Sequence, residues 1–199
     1  GLGDVYKRQA HALARYAALV QEAGMVPIIE PEVLMDGNHS AKDCFNKTSE
    51  VIKKCYEELE LNNVDLSGTI LKPNMILPGA SSDEKISKED IAELTLECLK
   101  NNVPSSVPGI AFLSGGQTEI EATVNLNQIN IRNDTDFIMT YSYGRALQQS
   151  ALKFWSNDTK NIIGTQQIFD HRAKMCTLAA QGKWSVSYTH LTLPTISRV

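Results

Sequence analysis

Four short apolar runs, each followed by a segment with helical spacing of its apolar residues, constrain the fold of this chain most strongly. The runs are residues 25–30, 69–72, 109–113 and 137–141. They are continuously apolar rather than alternating, which is typical of parallel strands buried on both faces. Their starts lie 28 to 44 residues apart, which is the length of about one strand–helix unit. The sequence therefore predicts an α/β fold built on a parallel sheet.

Five helical patterns surround these runs, one before the first run and one after each. They cover residues 13–24, 42–61, 87–99, 118–128 and 145–155. Ser87 and Asp90 resemble the start of a capping box at the head of the third pattern. Four strand–helix units fit either an open doubly wound sheet or half of an eight-stranded barrel. No G-x-G-x-x-G turn and no Walker motif follows a strand, which argues against a nucleotide site.

Composition and charge exclude several classes of protein. The 199 residues are 42% hydrophobic, which is enough for one domain with a real core. The net charge of -4 argues against nucleic acid as an obligate partner. No apolar stretch approaches the length of a membrane span, and no secretory signal is visible. We therefore predict a cytoplasmic protein with neither a membrane nor a nucleic acid as partner.

The cysteines and histidines give no metal-binding pattern. The cysteines are Cys44, Cys55, Cys98 and Cys176, and their wide spacing forms no metal motif. We interpret them as free thiols in a reducing compartment. His11, His39 and His171 share no spacing that would ligate a metal ion. The sequence therefore predicts a site without metal and without an organic cofactor.

Short segments at both ends of the chain look foreign to the rest. Residues 3–9 (GDVYKRQ) and 186–196 (VSYTHLTLPTI) resemble peptides translated from sequencing-adaptor DNA. The first segment has no periodicity that joins it to the helical pattern behind it. We interpret residues 1–9 and 185–199 as artefacts. The informative part, residues 10–184, is expected to begin and end within a longer protein.

Polar or glycine-rich residues end all four runs, and in a barrel such positions converge on the face that carries the active site. Lys72 ends the second run, which Pro73 prevents from continuing. An amine among apolar groups loses solvation of its ammonium form, so the neutral nucleophilic amine becomes accessible near neutral pH. Most strand-end lysines are merely solvated, but three further polar strand ends make Lys72 a candidate Schiff-base lysine.

Two carboxylates follow the first run. Glu30 and Glu32 are separated by Pro31, so both side chains point to the same side if strand geometry persists. Paired carboxylates near an amine can divide into a base and an orienting group. Taken alone, the pair is also compatible with an ordinary solvated strand end.

Glycine-containing loops follow the third and fourth runs. The residues of interest are Ser114, Gly115 and Gly116 in the first loop, and Ser142, Gly144 and Arg145 in the second. Glycines expose backbone N–H groups that can bind phosphate, more so where a helix starts nearby. A guanidinium group can hold a phosphate through two hydrogen bonds. The two loops therefore predict phosphate binding, although each alone also fits a flexible turn or a surface arginine.

Five segments together resemble class I fructose-bisphosphate aldolase, in order and in spacing, over about residues 10–184. The segments are 13–17, 26–32, 71–75, 109–117 and 142–148. The L-K-P-N sequence at 71–74 and the F-L-S-G-G-Q sequence at 112–117 are the most specific. The resemblance implies a TIM (β/α)8 barrel, of which this chain holds roughly strands five to eight with their helices.

The resemblance also implies roles for the strand-end residues. Lys72 would be the Schiff-base lysine, Glu30 the acid/base carboxylate, and Glu32 a second glutamate beside the lysine. The substrate-binding residues would be Ser114, Gly115, Gly116, Ser142, Gly144 and Arg145. The implied partners are a phosphorylated sugar substrate, a homotetramer of the whole protein and, by family analogy, cytoskeletal proteins.

The same resemblance implies that half of the barrel is not in this chain. The first four strands and the family's mobile tail have no counterpart here, so we expect the chain alone to be inactive or nearly so. Two alternatives stay open. One is a non-catalytic protein-binding fragment, and the other is a Schiff-base aldolase that acts on another phosphorylated sugar, such as fructose 1-phosphate.

Overall fold

A computed structural model describes residues 2–188, with side chains from Lys7 onward. The helices are α1 (Leu2–Glu22), α2 (Ala41–Leu61), α3 (Lys88–Asn102), α4 (Glu119–Arg132), α5 (Arg145–Asn157) and α6 (Ile162–Ala180). The strands are β1 (Ile28–Ile29), β2 (Ile70–Leu71), β3 (Gly109–Phe112) and β4 (Ile138–Tyr141). Short 3-10 turns occupy Leu66–Gly68 and Val186–Tyr188. Each predicted strand and helix is present, whereas α6 was not predicted.

Helix α1 begins at Leu2, well before the predicted start at residue 13. It therefore includes the segment 3–9 that the sequence marks as foreign. Most of the second such segment, residues 189–196, lies outside the described part of the chain. The interpretation of both ends as artefacts stays a prediction.

The four strands form one parallel sheet in the order β1-β2-β3-β4. This confirms the predicted parallel α/β fold. Backbone hydrogen bonds continue the pairing beyond the strand ends, from Lys72 N to the Ile29 carbonyl (2.7 Å) and from Ser142 N to the Phe112 carbonyl (2.8 Å). The carboxyl ends of all four strands therefore lie along one edge of the sheet.

One face of the sheet is covered by the helices and the other is accessible. Ile29, Leu71, Ile110 and Met139 share one level in the register and are buried. At the preceding level Ile28 is exposed and Ile138 is 73% exposed. Within residues 2–188 the described helices pack against a single face, so the burial on both faces that is typical of such apolar runs is incomplete.

Side-chain caps define the starts of most helices. Ser40 and Asp43 form a capping box at α2, and Thr118 and Glu121 form another at α4. The Ser87 hydroxyl accepts a hydrogen bond from Asp90 N, as the sequence predicts for α3. Such caps satisfy backbone N–H groups that have no partner within the helix. No helix within residues 2–188 combines the length and the apolar character needed to cross a membrane.

The buried thiols predict a loss of stability at alkaline pH. All four cysteines are free and buried, and desolvation raises the pKa of Cys55 and of Cys98 to about 11. The unfolded chain releases these protons near the ordinary pKa of about 8.5, whereas the folded chain retains them. The free energy of unfolding is therefore expected to fall as pH rises from about 8.5 toward 11.

Thermal unfolding under reducing conditions, followed across this pH range, measures the effect. A variant with Cys55→Ala and Cys98→Ala serves as the control, because lysine and tyrosine side chains also titrate in this range. Its unfolding temperature should depend less steeply on pH than that of the parent chain. Equal slopes for the two proteins would contradict the prediction.

Candidate active site

Lys72 and Glu30 meet at the carboxyl edge of the sheet. Lys72 Nζ lies 2.9 Å from Glu30 Oε1, and their side chains are 19% and 43% exposed. The two residues follow Leu71 and Ile29, which are partners in the parallel register, so both side chains leave the same face of the sheet. The contact brings an amine and a carboxylate close enough for direct proton transfer.

Glu32 does not join this pair. Strand β1 ends at Ile29, before the two glutamates, so strand alternation does not extend to Glu32. Pro31 is buried, while Glu32 is exposed and forms no ion pair with a residue that the structure describes. The structure therefore brings together Lys72 and Glu30 but leaves Glu32 apart from the amine.

Asn74 is a buried residue of this site that was not predicted to have a role. Its side chain is 3% exposed, and its Oδ1 accepts a hydrogen bond from Val33 N (3.1 Å). Its Nδ2 donates to Thr48 Oγ1 (3.0 Å) and to the Met75 carbonyl (3.1 Å). Asn74 therefore joins the loop after β1, which follows Glu30, to the loop after β2, which follows Lys72.

The loop after β3 offers free backbone donors. Gly115 and Gly116 have φ values of +42° and +76°, in the left-handed region that favours glycine. A Cβ on Gly115 would stand 3.0 Å from Leu113 Cδ1, so the site has little room for a larger residue. Neither glycine N–H donates a hydrogen bond to any acceptor within residues 2–188. Such consecutive free donors form an anion-binding concavity.

Helix α4 follows this loop, but its amino end is already occupied. The helix begins at Glu119, and Glu121 N donates to the Thr118 hydroxyl (3.2 Å). The Glu121 carboxylate in turn accepts a hydrogen bond from Thr118 N (2.9 Å). The side-chain cap thus occupies one N–H group of the helix end, whereas the loop amides of Gly115 and Gly116 have no partner within residues 2–188.

The loop after β4 leads into a helix with an open amino end. Gly144 is the N-cap of α5, and no side chain caps this end, in contrast to α2, α3, α4 and α6. Arg145 is exposed and forms no ion pair with the part of the chain described here. The buried Tyr143 donates from its hydroxyl to the Ala122 carbonyl (3.0 Å), which fixes this loop against α4. A free helix end beside a guanidinium group favours an anionic ligand.

The site is an open edge of the sheet rather than an enclosed pocket. A cavity of about 720 Å³ lies between α1, α2 and the loop after β1. Glu30 and Glu32 contribute to its wall, whereas Lys72 and the two glycine loops do not. Among residues 2–188, no group of histidine, cysteine, aspartate and glutamate side chains is arranged to hold a metal ion.

Comparison with known proteins connects this arrangement to one family. The sequence model of a glycolytic family, fructose-bisphosphate aldolase class-I, matches residues 5–193. The chain belongs to the class I fructose-bisphosphate aldolases. This confirms the resemblance found in the sequence. The matched range overlaps both terminal segments interpreted as artefacts, and the boundaries at residues 10 and 184 stay predictions.

Relatives from distant organisms support the assignment. A protein of Xanthomonas campestris named "Probable fructose-bisphosphate aldolase class 1" is 48% identical over 183 residues, which are 92% of this chain and 55% of the relative. "Fructose-bisphosphate aldolase B" of Sparus aurata is 46% identical over 179 residues, 89% of this chain and 49% of that protein. The chain therefore spans about half the length of the curated relatives that it matches.

A solved aldolase structure has the same fold over most of the chain. The aldolase of Plasmodium falciparum, crystallised with TRAP and a small-molecule inhibitor, superimposes with a TM-score of 0.88 at 41% identity. The superposition covers 90% of this chain and 52% of the aldolase. With the four parallel strands, this confirms the predicted fold class, part of an aldolase (β/α)8 barrel.

Proposed function

We propose that the protein to which these residues belong cleaves fructose 1,6-bisphosphate reversibly, through an imine on Lys72. The observation that carries the proposal is the 2.9 Å contact between Lys72 Nζ and Glu30 Oε1. Two anion-binding loops lie along the same sheet edge, as a bisphosphate substrate requires. The products are dihydroxyacetone phosphate and glyceraldehyde 3-phosphate, and the reaction belongs to glycolysis and gluconeogenesis.

The first stage of the mechanism is imine formation. Lys72 Nζ first passes a proton to the Glu30 carboxylate, and the resulting amine attacks the ketone carbon of the open-chain sugar. A second proton then moves from Nζ to the former carbonyl oxygen, which gives a carbinolamine. Glu30, already beside Nζ, is placed to donate the proton with which the carbinolamine hydroxyl leaves as water. The resulting iminium carbon is an electron sink for the following step.

The second stage is cleavage of the carbon–carbon bond. The hydroxyl group on the carbon beyond the breaking bond gives up its proton to the Glu30 carboxylate, which later returns a proton to the enamine carbon. The bonding electrons move into the iminium to form an enamine. Glyceraldehyde 3-phosphate leaves as the aldehyde. Protonation of the enamine carbon and hydrolysis of the imine release dihydroxyacetone phosphate and restore Lys72. No metal ion or organic cofactor takes part in these steps as we propose them.

The phosphate loops position the reacting bond. Ser114, Gly115 and Gly116 are proposed to bind one phosphate, and Ser142, Gly144 and Arg145 the other. Binding energy from these remote groups holds the ketone carbon near Lys72 and reduces the entropy lost on reaching the transition state. Glu32 is proposed as a second carboxylate that moves toward Lys72 when substrate is bound, since the loop that carries it extends beyond β1.

The 199-residue chain alone is proposed to have little or no activity. The inner face of its sheet is accessible within residues 2–188, as the 73% exposure of Ile138 indicates. Water on this face screens the charges of the site and weakens the electrostatic contribution to catalysis. The complete protein is proposed to be cytoplasmic, because relatives from Arabidopsis thaliana and Spinacia oleracea are named cytosolic and cytoplasmic aldolases. Its assembly as a homotetramer is proposed from the family resemblance alone.

Two alternative functions have some support. The two separate anion-binding loops favour a bisphosphate, but an aldolase acting on fructose 1-phosphate would use the same lysine and one of the loops. A non-catalytic protein-binding role is supported by the accessible sheet face and by the complex of the Plasmodium falciparum aldolase with TRAP. Activity with each sugar and trapping of the imine distinguish these alternatives from the main proposal.

The experiment uses a hybrid protein, in which this chain replaces the matching segment of the Xanthomonas campestris relative. The hybrid is incubated with dihydroxyacetone phosphate and reduced with borohydride, and the adduct is located by mass spectrometry. We expect the adduct on Lys72 and an activity that a chelator does not affect. An active hybrid that a chelator inhibits and that forms no adduct would exclude the imine mechanism.

A further inference from the structure

A relay of side chains fastens the glycine loop after β3 to the middle of α4. The Ser114 carbonyl accepts two hydrogen bonds from Gln117, one from its backbone N (3.0 Å) and one from its side-chain Nε2 (3.0 Å). The other end of this carboxamide, Gln117 Oε1, accepts a hydrogen bond from Asn125 Nδ2 (2.7 Å). Asn125 lies two turns into the helix and is 4% exposed.

The relay fixes the orientation of the Gln117 carboxamide. Its oxygen must face Asn125, which donates, and its nitrogen must face the Ser114 carbonyl, which accepts. If the carboxamide were turned end for end, Gln117 Oε1 would face the Ser114 carbonyl oxygen, and Gln117 Nε2 would face Asn125 Nδ2. Both donors from Gln117 bind the Ser114 carbonyl and hold it against the turn. The N–H groups of Gly115 and Gly116 are left free.

Two observations indicate that these hydrogen bonds hold the loop and are not needed for the stability of α4. The start of α4 is capped independently by Thr118 and Glu121, so the helix does not depend on Gln117. Gly115 and Gly116 of the loop have left-handed φ values, and neither N–H donates a hydrogen bond within the described residues. The hydrogen bonds of Gln117 are therefore the main polar contacts that hold the loop in place. Removal of the relay should therefore loosen the loop and leave α4 in place.

We infer that Gln117 is a positioning residue for phosphate binding, and that Asn125 sets the orientation of its carboxamide. Gln117 does not touch the phosphate in this arrangement. It holds the Ser114 carbonyl so that the two glycine N–H groups stay directed at the anion. The inference rests on the proposed phosphate role of Ser114, Gly115 and Gly116, and the experiment below separates the failure of one from the failure of the other.

The experiment titrates the 199-residue chain with inorganic phosphate and follows backbone amide signals by two-dimensional NMR. Gly115 and Gly116 report the loop after β3, and Gly144 reports the open end of α5 in the same sample. The principal variant is Gln117→Met, which is neutral and of similar length but forms neither hydrogen bond. The second variant is Asn125→Leu, which keeps Gln117 but removes the hydrogen bond that sets the orientation of its carboxamide. Exposed Gln166 on α6 provides the matched control, Gln166→Met.

We expect phosphate affinity at Gly115 and Gly116 to fall about tenfold in Gln117→Met and by a smaller factor in Asn125→Leu. Affinity at Gly144 and the unfolding temperature should stay near the parent values, and Gln166→Met should change neither. A merely structural role would instead lower the unfolding temperature and the affinity at both loops. That result would overturn the inference.

Other outcomes are equally informative. If both variants bind phosphate at Gly115 and Gly116 as tightly as the parent chain does, the positioning role is wrong while the phosphate site stands. If the parent chain shows no response at these two glycines, the phosphate site and the inference fail together.

Discussion

Replacing Lys72 with methionine in the hybrid protein is expected to lower kcat for fructose 1,6-bisphosphate cleavage by about 10⁶-fold, the scale on which an enzyme loses activity when its covalent nucleophile is removed. Methionine has similar length but no amine, so neither the imine nor the electron sink can form. The borohydride adduct should disappear with the activity. A steady-state assay of both proteins measures the change.

Two further variants test whether the reaction needs the nucleophilic amine of Lys72 or only its positive charge. Lys72→Arg preserves a cation beside Glu30 but supplies no nucleophilic amine, so it should be as inactive as the methionine variant. Lys53→Met removes an exposed lysine of α2 and should leave kcat within about twofold of the parent value. Substantial cleavage by Lys72→Arg would show that the positive charge, rather than the imine, is what the reaction needs.

Replacing Asn74 with alanine is expected to lower the free energy of unfolding of the chain by about 3 kcal/mol. The side chain is buried and makes hydrogen bonds to Val33 N, Thr48 Oγ1 and the Met75 carbonyl. Its removal leaves buried polar groups without partners, and each such group costs about 1–3 kcal/mol. Chemical denaturation with a constant m-value measures the change.

A second asparagine serves as the comparison. Asn130 lies on α4 and makes one hydrogen bond, from Nδ2 to the Leu126 carbonyl (3.0 Å). Asn130→Ala should lower the free energy of unfolding by less than about 1 kcal/mol, because alanine is the better helix former and few polar groups lose a partner. If the two variants were equally stable, the loops after β1 and β2 would not depend on Asn74.

The strands were predictable because their signal is local. A short continuous apolar run indicates a parallel strand, and all four runs are neighbours in one sheet. Helix α6 was missed because Met175 is the only large apolar residue on its buried side, and the other buried residues are Gly164, Arg172, Cys176 and Ala179. Two isoleucines at its start, Ile162 and Ile163, are exposed. A pattern of apolar residues therefore does not describe this helix.

The site was predictable to a similar extent. The lysine and Glu30 follow register partners on adjacent strands, so strand ends alone were enough to place them together. Glu32 stands apart because β1 ends too early for alternation to reach it. Asn74 and Gln117 act through hydrogen bonds between loops or between a loop and a helix. Their partners Val33 and Asn125 lie at separations that follow no secondary-structure period, so no sequence pattern marks them.

The amino ends of α4 and α5 differ in charge and in capping, so the two ends of the site differ in their attraction for an anion. Helix α4 has its own side chains on its first N–H groups and carries Glu119 and Glu121 in its first turn. Helix α5 has a bare amino end with Arg145 at its first position. The electrostatic potential along the sheet edge is therefore expected to be more favourable for an anion near α5 than near α4. A ligand with two anionic groups is therefore expected to have the more tightly held group at the amino end of α5.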